Sequence, residues 1–321
     1  MDKRMVQINK ALTAMDKSGS YRVYLAVTTP LAEEGRKFHD PTPTGTAALS
    51  RVLTGAALMG IMSKNDRDKI TVQFKGDGPA REILATSYGT GKVKGYISNP
   101  DIDLPLKADG TLPVGDALGI GTITVIRDFG LKEPYMGRID LVSGEIADDM
   151  TAYFFISEQM PSSVILGEKI AEDGSVAAAA GMVIQMLPDA KPGSIDALEA
   201  LLKDSPNIAL LLEDCEKDVL ENAGTLFTPE AYVQRVLHLM FERYFETMDP
   251  DYAPEFLEFR DLGWECDCSR PRLEQVLLSL GEDDLRELAE EDGGAELVCQ
   301  FCRSKYQFSK EELLQLLQEG R

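Results

Sequence analysis

Positive charge is scarce in this chain. Lysine and arginine number 33 against 54 aspartates and glutamates, a formal net charge of −21. A general nucleic-acid binder needs a basic face to neutralise phosphates, so the composition speaks against that class. Histidine is scarcer still. There are two, His39 and His238, and neither stands in a recognisable catalytic motif, which leaves hydrolase chemistry without support. Long apolar runs are missing too. The longest weakly polar stretch, Ala177 to Leu187, is broken by Gln185 and is too short to span a bilayer. The first ten residues are polar and charged and lack the apolar core of a signal peptide. A soluble, cytoplasmic protein with no membrane partner is expected. So strong an acidic balance keeps a chain soluble and self-repelling, which suits a protein that must expose apolar surface without precipitating.

Cysteine is also rare, with five in 321 residues, but four of them form two tight pairs, Cys266-Asp267-Cys268 and Cys299-Gln300-Phe301-Cys302, thirty residues apart. Four thiolates brought together in two short pairs make a tetrahedral Zn²⁺ site. In a reducing compartment such clusters bind metal or sense redox state more often than they build a disulfide framework. The same sulfurs have a second chemistry. The two thiols of each pair are neighbours along the chain, so oxidation can close Cys266–Cys268 and Cys299–Cys302 locally and remove all four ligands at once. The fifth cysteine, Cys215, reads as a small buried hydrophobe.

An α+β fold is expected, in three parts. Residues 1–190 read as a mixed α/β core domain. Ala47 to Met62 is helix-rich in composition, and strands are predicted at Lys69–Phe74, Lys92–Ile97, Gly121–Arg127 and Gly137–Val142. Turn signals stand at Gly76-Asp77-Gly78-Pro79, Ser98-Asn99-Pro100 and Ala108-Asp109-Gly110. Gly119-Ile120-Gly121 invites a phosphate loop. However, Thr124 replaces the third glycine, and a β-branched run follows where a helix should start.

Residues 191–260 form a helical middle region and linker. Ser194, Asn207 and Thr228 read as helix caps. Ile208, Leu211, Leu212, Cys215 and Val219 share one face of the second helix. The third carries nine large apolar residues between Tyr232 and Phe245 on most of its circumference. Such a helix must be buried by something. It is either a core or dimer helix, or a surface that can be covered and exposed. His238 within it reads as a packed histidine. Asp249 to Arg260, with two prolines and no sustained stripe, reads as a linker.

Residues 261–321 form a small C-terminal unit. Ser269 is read as a cap for a helix to Leu280, and a second helix spans Asp283 to Glu291. A hairpin follows with Cys299 and Cys302 at its tip. Ser309 and Glu312 make a capping box for the last helix. A unit this small has little core of its own, so its folding should depend on metal. It carries 15 acidic and 7 basic residues, a net of −8, which disfavours a nucleic-acid-binding zinc ribbon. A catalytic Cys299/Cys302 dithiol would be expected to open a helix in a βαβ setting, not to sit between strands beside another pair.

Cys266-x-Cys268-Ser269, Cys299-x-x-Cys302 and Tyr306-x-Phe308 resemble the C-terminal signature of the redox-regulated bacterial heat-shock holdases, the thirty-three-kilodalton chaperonin family. Upstream, Gly76-Asp77-Gly78-Pro79, Gly95-Tyr96, Glu133-Pro134-Tyr135-x-Gly137, Tyr153-Phe154-x-x-Ser157-Glu158-Gln159 and Gln185-x-Leu187-Pro188 follow in the family's order. Two departures stand out: Pro271 where an acidic residue is usual, and Ala180-Gly181-Met182 for Ala-Gly-Gly. Neither touches a thiol. The resemblance implies a non-enzymatic, ATP-independent chaperone, inactive when reduced and zinc-bound. Oxidation would expel zinc, unfold the C-terminal module and linker, and favour homodimers that hold unfolding client proteins.

Overall fold

Strand alternation in the first half of the chain resolves into two sheets wrapped around one helix. The computed structural model describes residues 7–203, 207–221, 228–245 and 250–319. It falls into two units, Met1–Trp264 and Glu265–Arg321. In chain order the first unit contains β1 (Asn9–Asp16), β2 (Tyr21–Thr28), α1 (Thr29–His39), α2 (Pro43–Ile61), β3 (Lys69–Gly76), β4 (Glu82–Tyr88) and β5 (Lys92–Ile97). There follow α3 (Val114–Leu118), β6 (Gly121–Asp128), β7 (Tyr135–Asp140), α4 (Ile146–Ile156), β8 (Ser162–Ile170) and β9 (Val176–Met186). The unit ends with α5 (Pro192–Lys203), α6 (Ile208–Glu221), α7 (Pro229–Phe245), β10 (Pro254–Asp261) and β11 (Gly263–Trp264). The expected α+β class is therefore observed.

A five-stranded sheet has the order β10-β1-β2-β9-β8, and a six-stranded sheet has the order β11-β5-β4-β3-β6-β7. Helix α2 packs against strands of both. It is apolar and built of small residues, and nearly all of it is buried. A Cβ at Gly55 would run into the Met150 thioether and one at Gly60 into Ser87, so the helix lies too close to its neighbours there for a larger residue. The main core fills the space around α2. A second core lies under α5, α6 and α7, against Leu12, Ala14, Tyr21, Val23 and Leu25 of β1 and β2.

Several elements depart from the sequence reading. Helix α2 begins four residues before Ala47, because Pro43 fits its first turn. β7 lies two residues earlier than Gly137–Val142. Ser194 sits inside α5 and donates to the Lys191 carbonyl (2.7 Å) instead of capping. Asn207 and Thr228 cap as read, with the Ala209 N–H donating to Asn207 Oδ1 (2.9 Å) and the Ala231 N–H to Thr228 Oγ1 (3.2 Å), whereas Ser269 stands at its helix start without a side-chain capping bond. On α7, Tyr232, Val233, Val236, Leu237, Met240 and Phe241 are buried in the second core, and Phe241 stacks on Tyr21 at 6.5 Å. His238 is a correction, since it lies on the exposed face of the helix. The side chains of Val219, Tyr244 and Phe245 fall outside the described residues, as does Asp249.

The largest correction concerns the segment read as a linker, Asp249 to Arg260. Residues Pro254–Asp261 are a strand paired antiparallel to β1, from Lys10 opposite Asp261 to Asp16 opposite Pro254. The chain before β10 is tied down by the Ser18 N–H donating to the Asp251 carbonyl (3.0 Å) and by the Tyr21 hydroxyl donating to that of Tyr252. Beyond β10, the Leu262 N–H donates to the Asn9 carbonyl (3.1 Å), and β11 pairs in parallel with β5. Residues 251–264 thus form a strap that joins the edges of both sheets. It ends at Trp264, which packs on Phe38 with ring centroids 5.1 Å apart. Trp264 is the chain's one tryptophan. Its fluorescence therefore reports on the strap alone, and detachment should shift the emission to the red. A spectrum unchanged after two-disulfide oxidation would mean that the strap stays in place.

Candidate metal centre

The second unit contains α8 (Arg270–Leu280), α9 (Glu282–Glu290), β12 (Gly294–Val298), β13 (Lys305–Ser309) and α10 (Lys310–Glu319). Its fully enclosed core is Leu277, Leu285, Ala289, Phe308 and Leu313. Five residues give little burial free energy to set against the ordering of over fifty. The predicted hairpin is present, with Leu297 opposite Tyr306 and Val298 opposite Lys305. Its tip is a tight turn. The Cys299 N–H donates to the Ser304 carbonyl and the Arg303 N–H to that of Cys299, both at 2.9 Å, with Arg303 in the left-handed region at φ 57°. The capping box also forms: the Ser309 N–H donates to Glu312 Oε2 (2.8 Å) and the Glu312 N–H to Ser309 Oγ (3.3 Å). α9 is shifted by one residue from its expected bounds.

The hairpin tip presents Cys299 and Cys302. The extended segment before α8 presents Cys266 and Cys268. All four Sγ atoms lie within 4.8 Å of one another. Cys266 and Cys299 approach to 3.6 Å, and Cys268 and Cys302 to 3.3 Å. A tetrahedral zinc with Zn–S bonds of ~2.3 Å requires sulfurs about 3.8 Å apart. The donor set and spacing therefore fit such an ion, with an all-sulfur, four-ligand shell of the structural type.

Three neighbours that the sequence did not assign support this site, two of them at the sulfurs. The Tyr306 hydroxyl lies 3.3 Å from Cys268 Sγ, and the Ser304 hydroxyl 3.2 Å from Cys302 Sγ. Arg270 reaches across from the start of α8. Its guanidinium covers the Phe308 ring at 4.3 Å and donates to the Gln307 carbonyl (2.9 Å) and to Glu312 (2.6 Å). Arg270 therefore clamps the Cys268 segment onto β13 and α10. Outer partners of this kind orient metal ligands. The alternation Tyr306-x-Phe308 was the available signal, since it sends both rings to one side of β13. The departure at Pro271 is harmless, because it falls in the first turn of α8, where no N–H is needed.

The metal-free thiols are unequal. Burial pushes the Cys266 thiol far up, and burial likewise raises Cys268. Burial also opposes ionisation of Cys302, but hydrogen bonds from the Ser304 hydroxyl and backbone outweigh it and bring the thiol down to about 7. The hydrogen bond to Cys268 in turn pushes Tyr306 up to about 12. Cys302 is thus more readily available as a thiolate at neutral pH than Cys266 or Cys268.

Cys215 belongs to the first unit. It is fully buried on α6, with its sulfur 3.8 Å from the Tyr232 carbonyl. Cys215→Ala should cost on the order of 1 kcal/mol of stability and leave metal content and oxidative response unchanged. Loss of either would show that this thiol belongs to the switch.

The fold and the sulfur cluster define an α+β protein with a C-terminal four-cysteine metal-type unit. The family model described as "Hsp33 protein" matches residues 9–309. The chain is 40% identical over 314 residues to a 33 kDa chaperonin of Clostridium tetani, which covers 96% of this chain and 98% of that one. It is 40% identical over 309 residues to the 33 kDa chaperonin of Clostridioides difficile, with 96% and 98% covered. The crystal structure of the 33 kDa chaperonin (heat shock protein 33 homolog) of Thermotoga maritima superposes with a TM-score of 0.79 at 29% identity, covering 97% of this chain and 98% of that one. The chain belongs to the Hsp33 family, and its function is that of a chaperone. Among the described residues no helix is long and apolar enough to cross a membrane.

Proposed function

We propose that this chaperone is a redox-regulated, ATP-independent holdase of the cytoplasm. In the reduced form Cys266, Cys268, Cys299 and Cys302 hold one Zn²⁺, which supplies the cross-link that the five-residue core of the second unit lacks. On oxidation, two S–S bonds form, Cys266–Cys268 and Cys299–Cys302. From the zinc-bound thiolates four electrons leave the sulfurs and Zn²⁺ is released, and two molecules of peroxide take up those electrons with four protons from solvent to give four waters. The sulfurs are then spent as ligands, the second unit unfolds, and the strap that ends two residues before Cys266 loses its anchor. The surface that the strap covers then holds unfolding client proteins, and the oxidised chain acts as a homodimer.

The single observation that carries this reading is the convergence of all four sulfurs within 4.8 Å in a unit whose fully buried core is five residues. The strap gives the switch a target. Apolar surface binds clients through the hydrophobic effect, which is non-directional and needs no nucleotide. The net charge of −21 keeps the opened chain soluble.

The test is zinc content before and after peroxide, measured with suppression of aggregation of a thermally unfolding protein. Zinc loss and suppression should rise together. Zinc retained throughout, or suppression already full in the reduced form, contradicts the switch. The pairing has its own check. Contacts in the folded site run across the pairs, so the local bonds belong to the opened unit, where loop closure favours near neighbours. Peptide mapping should find Cys266–Cys268 and Cys299–Cys302. Predominant cross-pair bonds would mean that the knuckle is still folded when oxidised.

A further inference from the structure

We propose that the edge of β1, once β10 has left it, is itself a docking site for an extended, apolar segment of a client, which adds to the sheet as a replacement strand. This rests on the switch described above and says where one class of client contact is made.

β1 is an unusual strand to leave at an edge. Ala11, Leu12 and Ala14 are at most 1% exposed, with Ala11 facing the main core and Leu12 and Ala14 facing the second. Its apolar residues Ala11, Leu12 and Ala14 reach both cores among the polar Asn9, Lys10, Thr13 and Asp16, and β10 keeps the strand interior. Without β10 it presents a row of unpaired N–H and C=O groups, with Leu12 and Ala14 offering an apolar patch beside them. Such an edge is a template for any extended chain. Strand addition suits a chaperone because main-chain hydrogen bonds ask nothing of the client's sequence.

β10 shows what the edge accepts, and it is a weak occupant. Its ladder slips between Thr13 and Ala14, leaving Leu257 as an extra residue without a partner opposite. Leu257 is 50% exposed and Phe256 is 40% exposed. Glu255, Glu258 and Asp261 add three carboxylates, and the ion pairs they make, with Lys17 and Lys10, reach carboxylates that are largely exposed, where such pairs contribute little. Its best contact is apolar. Phe256 and Phe259 stack at 4.2 Å and stand opposite Ala14 and Leu12. The small side chain at Ala14 leaves room for a bulky one across from it. The chemistry selected is therefore an extended backbone with large apolar residues on one face, as an unfolding protein offers and a folded one hides.

The probe is a fluorescein-labelled octapeptide alternating valine and threonine, with two analogues N-methylated at one or the other alternate set of amides. Each is titrated into the full chain, reduced or peroxide-treated, with hydrogen exchange followed over residues 9–16. The parent peptide should bind the oxidised chain at least tenfold more tightly than the reduced chain. One methylated analogue, the one whose blocked amides face β1, should bind at least tenfold more weakly than the other. Exchange over residues 9–16 should rise on oxidation and fall again with peptide. Equal binding of all three peptides, or exchange over residues 9–16 that peptide does not slow, overturns the proposal. So does protection of residues 9–16 that grows with protein concentration and resists peptide, because the occupant is then β10 of a second copy. These outcomes separate from failure of the switch. An oxidised chain that holds no client at all overturns the reading beneath, whereas one that holds clients but treats the three peptides alike overturns only the edge.

Discussion

Replacing Cys299 with Ser should leave the chain without stoichiometric zinc and unfold residues 265–321 while the sheets of the first unit persist. The sulfur is buried at the turn that both hairpin hydrogen bonds define, so no other group among the described residues is placed to replace it. Binding of zinc to small folds of this type releases about 10–16 kcal/mol, against about 5–15 kcal/mol for the whole stability of a typical domain. A core of Leu277, Leu285, Ala289, Phe308 and Leu313 cannot replace that contribution. Metal analysis and hydrogen exchange check the result together. Full occupancy, or protected amides in α8 and α9 of the variant, would show that the fold stands without the fourth ligand.

Locking the strap should abolish client holding without blocking the switch. Thr13 and Glu258 face each other across the β1–β10 ladder. Opposed residues of an antiparallel pair stand about 4.5–5.5 Å apart at Cα, within the range of about 4.4–6.8 Å that a disulfide spans. In the Thr13→Cys/Glu258→Cys protein, peroxide should still drive zinc out, but suppression of aggregation should fall by at least tenfold and return when the engineered bond alone is absent, as in either single variant. Undiminished holding with the bond in place would put the client surface away from the strap.

The two halves of this account were unequally legible in the sequence. The metal centre was readable because its information is local. Each ligand pair spans three or four residues, and the hairpin, the capping box and the helix end at Leu280 follow from near neighbours. The helix caps at Asn207 and Thr228 were readable for the same reason. The strap was not, because its hydrogen bonds go to β1, some 250 positions away (Lys10 opposite Asp261), and its bulge at Leu257 breaks the alternation that marks a strand. The two prolines and four carboxylates of Asp249–Arg260 completed the look of a linker. The run Ala177 to Leu187 reads in sequence only as too short and too interrupted, at Gln185, to cross a bilayer. It is β9, a central strand apolar because both of its faces are covered. Arg270 was invisible as a supporting group, and Tyr306 was marked only by its place in Tyr306-x-Phe308, because nothing local says which sulfur or carbonyl a long side chain will reach.

The claim at the centre of this account is that thiol oxidation frees residues 251–264 by unfolding the unit that follows them. Hydrogen exchange on the reduced and two-disulfide forms tests it most directly. Residues 265–319 and the strap should lose protection together, while β3, β4 and β6 keep theirs. An oxidised chain that holds clients with the strap still protected against β1 would contradict it.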